Sequence, residues 1–458
     1  MLLSDLDFGL GDDSWIEDDS HIFGTLYYRV LCKCIPFLVA HLPFQAHRNC
    51  EPVCLADSDI HRIFSEMNTG DWWWDTKNQL PTRAMIVPVI CASDKTRLTN
   101  FSGDHHTWLF YLTIGNIQKN ICCTPKRHAW ILVGLIPCPP DGANNIDKAR
   151  HSAVGTVLSQ LRHLDITGPG LKWDCADGFQ RQCYPLLAAW VGDYPVQVMV
   201  AQVSYGSCPM CEIPKGAPMG HSTFRALDNS RDQHIYSELL EDNNLDTLHT
   251  LGVHPIRNQF WQYQLCNVYR LWQLDELHQL LLGLVKYLLH RLLKYLKARN
   301  VKDKFDNRFT SVPWYPGPKH FSKPFDSLQS GTWQGKQICA MIRTLAVNCA
   351  PILDCSQDAG KAAVETASDE MVMEAVWALF QFSLLVSLQN HSDLSLNALD
   401  DALKGFYQTK FIFWDQKMLN SAKTKVDQLL ASESQQLCEQ NIYKIRAAMN
   451  ALVVTGVF

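Results

Sequence analysis

Two aspartates follow predicted β-strands, and both are of the residue type that binds catalytic divalent metal. Asp94 lies in the stretch Ala92–Thr96, directly after an apolar, β-rich run, and Asp193 ends a second such run much further along the chain. Two-metal phosphoryl transfer needs carboxylates at the ends of adjacent strands, because the ions lie about 3.5–4 Å apart and share acidic ligands. Mg²⁺ prefers one or two carboxylates together with water and substrate phosphate. The alternative is that both aspartates cap turns.

A second group of residues has the chemistry of a zinc site. Cys208 and Cys211 form a Cys-Pro-Met-Cys pair soon after Asp193. Structural zinc needs four nitrogen or sulfur ligands, and the sequence contains no second Cys-x-x-Cys pair. We expect His278 as the third ligand and His254 or Cys266 as the fourth. The alternative is that the pair is two buried thiols in a turn.

Asp275 and His278 open a long predicted helix, Leu271–Arg299. Residues three apart share a helix face, so the carboxylate and the imidazole could serve one metal together. The alternative is an ordinary first helical turn, in which acidic residues are enriched.

The apolar pattern predicts a sheet and a helix around the two aspartates. Each apolar run is short and bounded by Asn, Gly, Pro or charged residues, which is typical of buried strands. Helical spacing of apolar residues predicts a helix from Ile146 to Leu164. The predicted strands are residues 83–93, 108–117, 129–137, 183–193 and 196–203. Three strands, a helix and a fourth strand is the order of a ribonuclease-H-like sheet, which other α/β folds share.

The remaining chain is predicted to be mainly helical, so the expected fold class is α/β: a ribonuclease-H-like mixed-sheet core with a large, mainly helical insertion and C-terminal region. Further helices are predicted at residues 365–391, 394–411 and 417–452, and a Pro- and Gly-rich loop at 312–326. We expect four regions: an acidic arm and N-terminal helical region (1–80), the catalytic core with the Cys-Pro-Met-Cys element (81–215), a helical insertion with a basic amphipathic helix (216–326) and a truncated C-terminal helical region (327–458).

Composition favours a folded, soluble, intracellular protein. Hydrophobic residues make up 47% and charged residues 19%, which is enough for a real core. The first twenty residues are acidic where a secretory signal would be basic, so most of the 17 cysteines are expected to be free thiols. The apolar stretch Leu277–Leu296 contains too many charged residues for a membrane span.

A formal net charge of −5 does not favour nucleic-acid binding, so any DNA contact has to come from local basic patches. The end of the predicted long helix offers one, formed by Lys294, Lys297, Arg299, Lys302 and Lys304. These residues could contact phosphates, or they could simply form a solvated face. The three consecutive tryptophans Trp72, Trp73 and Trp74 are interpreted as core or interface packing.

Several long motifs resemble the Plavaka transposases, a fungal group related to the CACTA-type elements. The most specific is SDKTRLTNFSGDHHTWLFYLTIGNI (93–117). Others follow in the family's order: HAWILVGLIP (128–137), ADGFQRQCYPLLAAWVGDYP (176–195), GSCPMCEIPKG (206–216), HPIRNQFW (254–261) and DELHQLLLGLVK (275–286). The resemblance covers roughly residues 50 to 430.

The resemblance implies a DNA transposase of the DDE type. By it Asp94 and Asp193 are the first and second catalytic acids, using Mg²⁺ or Mn²⁺ for phosphodiester cleavage and strand transfer, and Cys208 and Cys211 belong to a structural zinc element. It also implies transposon terminal repeats as the DNA partner and the nucleus as the location. A homodimer is a further expectation.

Departures from the family pattern lead us to expect a degenerate or incomplete enzyme. Leu109, Val196 and Tyr287 replace residues that are usual in the family, and no C-terminal segment bearing the third acid is recognised. Glu374 and Asp275 are the fallback candidates for that acid. The alternative function is a catalytically inactive, transposase-derived scaffold that binds DNA or protein.

Overall fold

A computed structural model describes residue 10 and residues 14–21, 23–97, 106–138, 146–162, 166–212, 230–272, 275–313, 320–321, 333–353 and 363–410. The chain divides into two compact units. Among the described residues, the sheet unit comprises those up to Ala56 and from Ile63 to Trp272, and the helical unit comprises Asp57–Arg62 and those from Asp275 to Lys410. The predicted helix at 417–452 and most of the predicted loop at 312–326 lie outside the described residues.

The described residues form a mixed α/β protein. The strands are β1 (Trp15–Asp18), β2 (Leu26–Arg29), β3 (Leu55–Ala56), β4 (Arg62–Phe64), β5 (Met85–Arg97), β6 (His106–Ile114), β7 (Ile131–Pro137), β8 (Leu171–Asp174), β9 (Gln180–Val191) and β10 (His391–Ser392). The helices are α1 (Leu31–Ala40), α2 (Asp71–Gln79), α3 (Lys119–Cys122), α4 (Ile146–Val157), α5 (Tyr194–Ala201), α6 (Gln233–Glu241), α7 (Leu245–Thr250), α8 (Lys286–Ala298), α9 (Lys302–Thr310), α10 (Gly335–Leu353), α11 (Ala363–Val386) and α12 (Asp393–Thr409).

The sheet unit is built on a seven-stranded sheet in the order β1-β2-β7-β6-β5-β9-β8. β5 pairs antiparallel with β6 and parallel with β9, while β6 pairs antiparallel with β7. β8 pairs antiparallel with β9 at the far edge. The parallel β5–β9 pair brings two segments that are distant in the chain to the centre of one sheet.

Both faces of this sheet are covered, which explains the nearly continuous apolar runs of its central strands. Residues of α1, α4 and α5 pack on one face with Val87, Val89 and Cys91 of β5. Trp73 of α2 packs on the other face with Ile86. Trp73 is fully buried, which confirms the packing interpretation for this residue of the tryptophan triplet.

Two predicted elements are corrected by the structure. The apolar run 196–203 was expected to be a strand, but it lies mostly in helix α5. The physical reason is local: Asp193 caps the helix and Pro195 stands in its first turn, where the missing N–H costs nothing. The predicted helix 271–299 is divided into a π-helix, Glu276–Val285, followed by α8.

The helical unit contains the π-helix, α8–α12 and short connecting turns among its described residues. The predicted helices at 365–391 and 394–411 correspond closely to α11 and α12. Among the described helices of the chain, none is long and apolar enough to cross a membrane.

Candidate functional site: two aspartates at one end of the sheet

The register of β5 and β9 places Asp94 and Asp193 at the same level. The last pair in this parallel ladder is Ala92 with Val191. Each aspartate lies two positions beyond its member of that pair, in the same chain direction. Beyond this pair the two segments differ, because Asp94 continues in β5 whereas Asp193 begins the turn into helix α5.

Asp94 lies within β5, and this corrects the expectation that it follows the strand. β5 continues to Arg97 because the antiparallel ladder with β6 extends beyond the β9 contact, and Asp94 pairs there with Leu109. Asp94 is exposed. Burial, and to a smaller extent the charge of the Asp94 carboxylate, raise the pKa of Tyr111.

The neighbour of Asp94 fixes which face of the sheet it uses. The Trp190 indole Nε1 donates to the Ser93 hydroxyl at 3.3 Å, and the Trp190 ring stacks on Phe110 at 5.1 Å. Ser93 therefore faces the core that contains Trp190. Because side chains alternate along a strand, Asp94 faces the opposite side.

Asp193 has a structural role in addition to its position. Its Oδ1 accepts a hydrogen bond from the Val196 amide at 3.1 Å and so caps α5. Gly192 is needed for this turn, since a Cβ there would approach the Val196 side chain to 2.6 Å. The turn-capping alternative is thus correct for Asp193.

The Cys208–Cys211 pair lies in the same unit, in a turn that favours thiolate. Both residues are buried. The Met210 amide donates to Cys208 Sγ at 3.4 Å, and Arg231 Nε donates to the Cys208 carbonyl at 2.7 Å. Hydrogen bonds from the Cys211 side chain and from the Met210 and Cys211 amides lower the pKa of Cys208 to about 6, although burial alone would raise it. Thiolate is the form that binds zinc.

Two of the predicted zinc ligands, His254 and Cys266, have other surroundings in the structure. The amide of His254 donates to the Gln202 carbonyl at 2.9 Å. Cys266 is buried in the core near Cys91, and burial raises its pKa to about 12. Across the part of the chain that the structure describes, no group of three or more His, Cys, Asp or Glu side chains is arranged to hold a metal ion.

In the helical unit, Asp275 and His278 contact each other directly. Asp275 caps the π-helix by accepting from the His278 amide at 2.9 Å, and its Oδ2 lies 2.7 Å from His278 Nδ1. The imidazole is about half exposed. Glu374 lies on the exposed side of α11. The roles of His278 as a zinc ligand and of Glu374 as a catalytic acid stay predictions.

Two residues of the predicted basic patch form ion pairs with aspartates of the helical unit. Arg299 pairs at 2.8 Å with Asp369, whose side chain is fully buried, and Lys302 pairs with Asp306. Lys294, Lys297 and Lys304 are exposed. These three lysines are the part of the patch that faces solvent.

Sequence reasoning missed Tyr194, which links the Asp193 turn to the segment before Cys208. Its hydroxyl donates to the Ser207 carbonyl at 2.8 Å and accepts from the Gly206 amide at 2.7 Å. Tyrosine immediately after a capping aspartate was visible in the sequence, but its hydrogen-bond partners depend on the tertiary fold.

These features define an α/β protein in which Asp94 of β5 and Asp193, which follows β9, each lie two positions beyond the last pair of one parallel ladder. A family model described as Plavaka transposase matches residues 15–291, more than half of the chain. The chain belongs to the Plavaka transposase family, which confirms the resemblance seen in its motifs, and it is therefore derived from a transposase. A search of curated proteins found no match.

Proposed function

We propose that this chain is the core of a DDE-type DNA transposase in which Asp94 and Asp193 supply two of the three catalytic carboxylates. The observation that carries this proposal is the β5–β9 register, in which Ala92 pairs with Val191 and both aspartates follow at equal distance. Family membership supplies the substrate class, because a transposase acts on DNA.

The strand order supports a ribonuclease-H-like core. In the order β7-β6-β5-β9, the first three strands are antiparallel and the fourth is parallel to the central one. Helix α4 lies in the chain between β7 and β9, as a crossover to a parallel strand requires. This is the three-strand, helix, fourth-strand order predicted above, with β8 added at the edge.

The two carboxylates fit a divalent metal by their chemistry, because Mg²⁺ prefers carboxylate oxygens together with water and substrate phosphate. Bound Mg²⁺ or Mn²⁺ would activate water, and then a 3′-hydroxyl, for attack on a phosphodiester bond and would stabilise the leaving oxygen. Asp94 is exposed to solvent on β5, an interior strand of the sheet. The N-cap hydrogen bond from the Val196 amide restricts the rotamer of Asp193.

DNA cleavage by this core depends on a third catalytic carboxylate. Glu374 is the candidate from the sequence, and it is exposed on α11. With two of three carboxylates, the attacking oxygen is poorly positioned, and a misplacement of about 1 Å can cost about a hundredfold in rate. We therefore propose that this core binds divalent metal weakly and does not excise DNA, in keeping with a degenerate transposase. The related alternative is a scaffold that binds DNA without cleaving it.

A transposase core also implies a DNA partner, a cellular location and a homodimer. The DNA partner is a transposon terminal repeat, contacted in part by the exposed Lys294, Lys297 and Lys304, and the location is the nucleus. A homodimer would hold two transposon ends. Cys208 and Cys211 are the thiolate ligands of a structural zinc ion, and His278 stays the predicted third ligand.

A cleavage assay tests this function. The chain and its Asp94→Asn variant are incubated with terminal-repeat DNA from a related element and Mg²⁺ or Mn²⁺. We expect binding without nicking. Nicking that disappears in Asp94→Asn contradicts the inactivity, and Glu374→Gln then tests whether Glu374 is the third acid. Nicking that survives in both Asp94→Asn and Asp193→Asn contradicts the catalytic assignment, and absence of DNA binding contradicts the transposase role.

A further inference from the structure

Tyr205 presents a large aromatic surface close to the Asp193 turn. The residue is 67% exposed, and its ring centroid lies 5.2 Å from that of Tyr194, the residue after Asp193. Val191, the last residue of β9, is 47% exposed. Exposed apolar side chains therefore lie next to the Asp193 turn, where a solvated loop would carry mostly charged or polar side chains.

Hydrogen bonds on both sides hold Tyr205 in place. The amide of Ser204 donates to the Gly252 carbonyl at 2.8 Å, and the amide of Gly206 donates to the Tyr194 hydroxyl at 2.7 Å. Gly206 has a φ of +94°, a conformation that favours glycine, so the turn is encoded locally. The Tyr205 backbone is therefore fixed relative to Tyr194 and to the cap at Asp193.

We propose that Tyr205 is a positioning residue that stacks an unpaired base of the transposon-end DNA beside Asp193. This inference rests on the proposed function, because it takes DNA as the substrate and Asp94 and Asp193 as the reacting end of the sheet. A tyrosine ring stacks on any base face and loses little entropy in doing so, since it has only two side-chain torsions. Bases within a duplex have both faces covered, so a base reaches Tyr205 only where the two strands are separated.

The preferred substrate is therefore a DNA end with an unpaired nucleotide next to the scissile phosphate, and the stacking tolerates any base. The ring would hold the separated strand, and thereby orient the phosphate toward the two carboxylates. If Tyr205 contacts a protein partner and not a base, the chain should bind both kinds of DNA end equally. Comparing the two DNA ends therefore distinguishes a base from a protein at this residue.

Phe179 supplies a matched control. It is 66% exposed, nearly the same as Tyr205, but it precedes β9 and so lies at the opposite end of that strand from Asp193. The test compares the full chain with Tyr205→Ala, Tyr205→Phe and Phe179→Ala. Each is titrated with a terminal-repeat duplex that ends either blunt or with one unpaired 2-aminopurine. Anisotropy reports binding, quenching of 2-aminopurine reports stacking, and circular dichroism checks folding.

We expect the wild-type chain, Tyr205→Phe and Phe179→Ala to bind the unpaired end about tenfold more tightly than the blunt end and to quench its fluorescence. Tyr205→Ala should bind both ends equally, without quenching. Equal binding of both ends by the wild-type chain, or a preference that persists in Tyr205→Ala, overturns the inference and leaves the proposed function standing. Failure to bind either DNA overturns both.

Discussion

Ser93 and Trp190 are joined across the central strands by a hydrogen bond from the indole Nε1 to the serine hydroxyl, at 3.3 Å. Both residues are buried, and each is close in sequence to one of the two aspartates. The bond therefore couples the local geometry of β5 to that of β9 near the proposed metal site.

Removing this bond should destabilise the sheet unit. Ser93→Ala leaves the buried indole N–H without its acceptor, which should cost about 1 kcal/mol in the free energy of unfolding. Urea denaturation measures this loss, and Ser152→Ala, at an exposed serine of α4, serves as the control with a change below about 0.5 kcal/mol. Equal stability of Ser93→Ala and wild type would show that the bond does not organise this region.

The two roles of Asp193 can be separated by substitution. Asparagine caps helices as well as aspartate does, so Asp193→Asn should retain stability within a few tenths of a kcal/mol, whereas Asp193→Ala should lose about 1 kcal/mol. Thermal or urea unfolding of the two variants measures the difference. If both variants are equally destabilised, the Val196 hydrogen bond is not the source of the stability.

Much of this site could be predicted from sequence, for identifiable reasons. Apolar runs indicated β5, β6, β7 and β9, and the order of these runs indicated which strands are neighbours. The run after Asp193 was mistaken for a strand because its apolar residues fit either element, while the deciding features, the Asp193 cap and Pro195, are local. The Tyr194–Ser207 and Ser93–Trp190 hydrogen bonds depend on tertiary packing, so a pattern in a single sequence could not predict them.

His151 should make the stability of the sheet unit depend on pH. Its Nε2 accepts from the Gln259 amide at 2.8 Å, and burial lowers its pKa to about 3. The unfolded chain binds a proton near pH 6.5 and the folded chain does not, so stability is full above that pH and falls as pH drops toward 3.

Between pH 6.5 and pH 5 this residue should account for about 1.6 kcal/mol of lost stability, because the loss reaches its full slope of about 1.4 kcal/mol per pH unit only below the unfolded pKa. Urea unfolding at the two pH values should show that loss in wild type and in the exposed-site control His249→Gln, and much less of it in His151→Gln. The same pH dependence in all three proteins would exclude His151 as its source.

The cysteine pair should bind zinc. We expect close to one zinc per chain in the purified protein, with sulfur ligands at about 2.3 Å from the metal by X-ray absorption. Cys208→Ser should remove it, while Cys54→Ser, at an exposed thiol, should not. Loss of zinc in His278→Ala would identify the third ligand, and full retention in Cys208→Ser would show that the pair is only packing.

Asp94 and Asp193 are proposed to bind the same divalent metal, and Mn²⁺ binding followed by electron paramagnetic resonance tests this shared site most directly. Asp174→Asn is the control, because Asp174 pairs with Gln180 at the opposite end of β9 from Asp193. We predict weak Mn²⁺ binding by the wild-type chain and by Asp174→Asn, and a loss of affinity of about tenfold or more in both Asp94→Asn and Asp193→Asn. Unchanged binding in either of these two variants would contradict a metal site shared by the two aspartates.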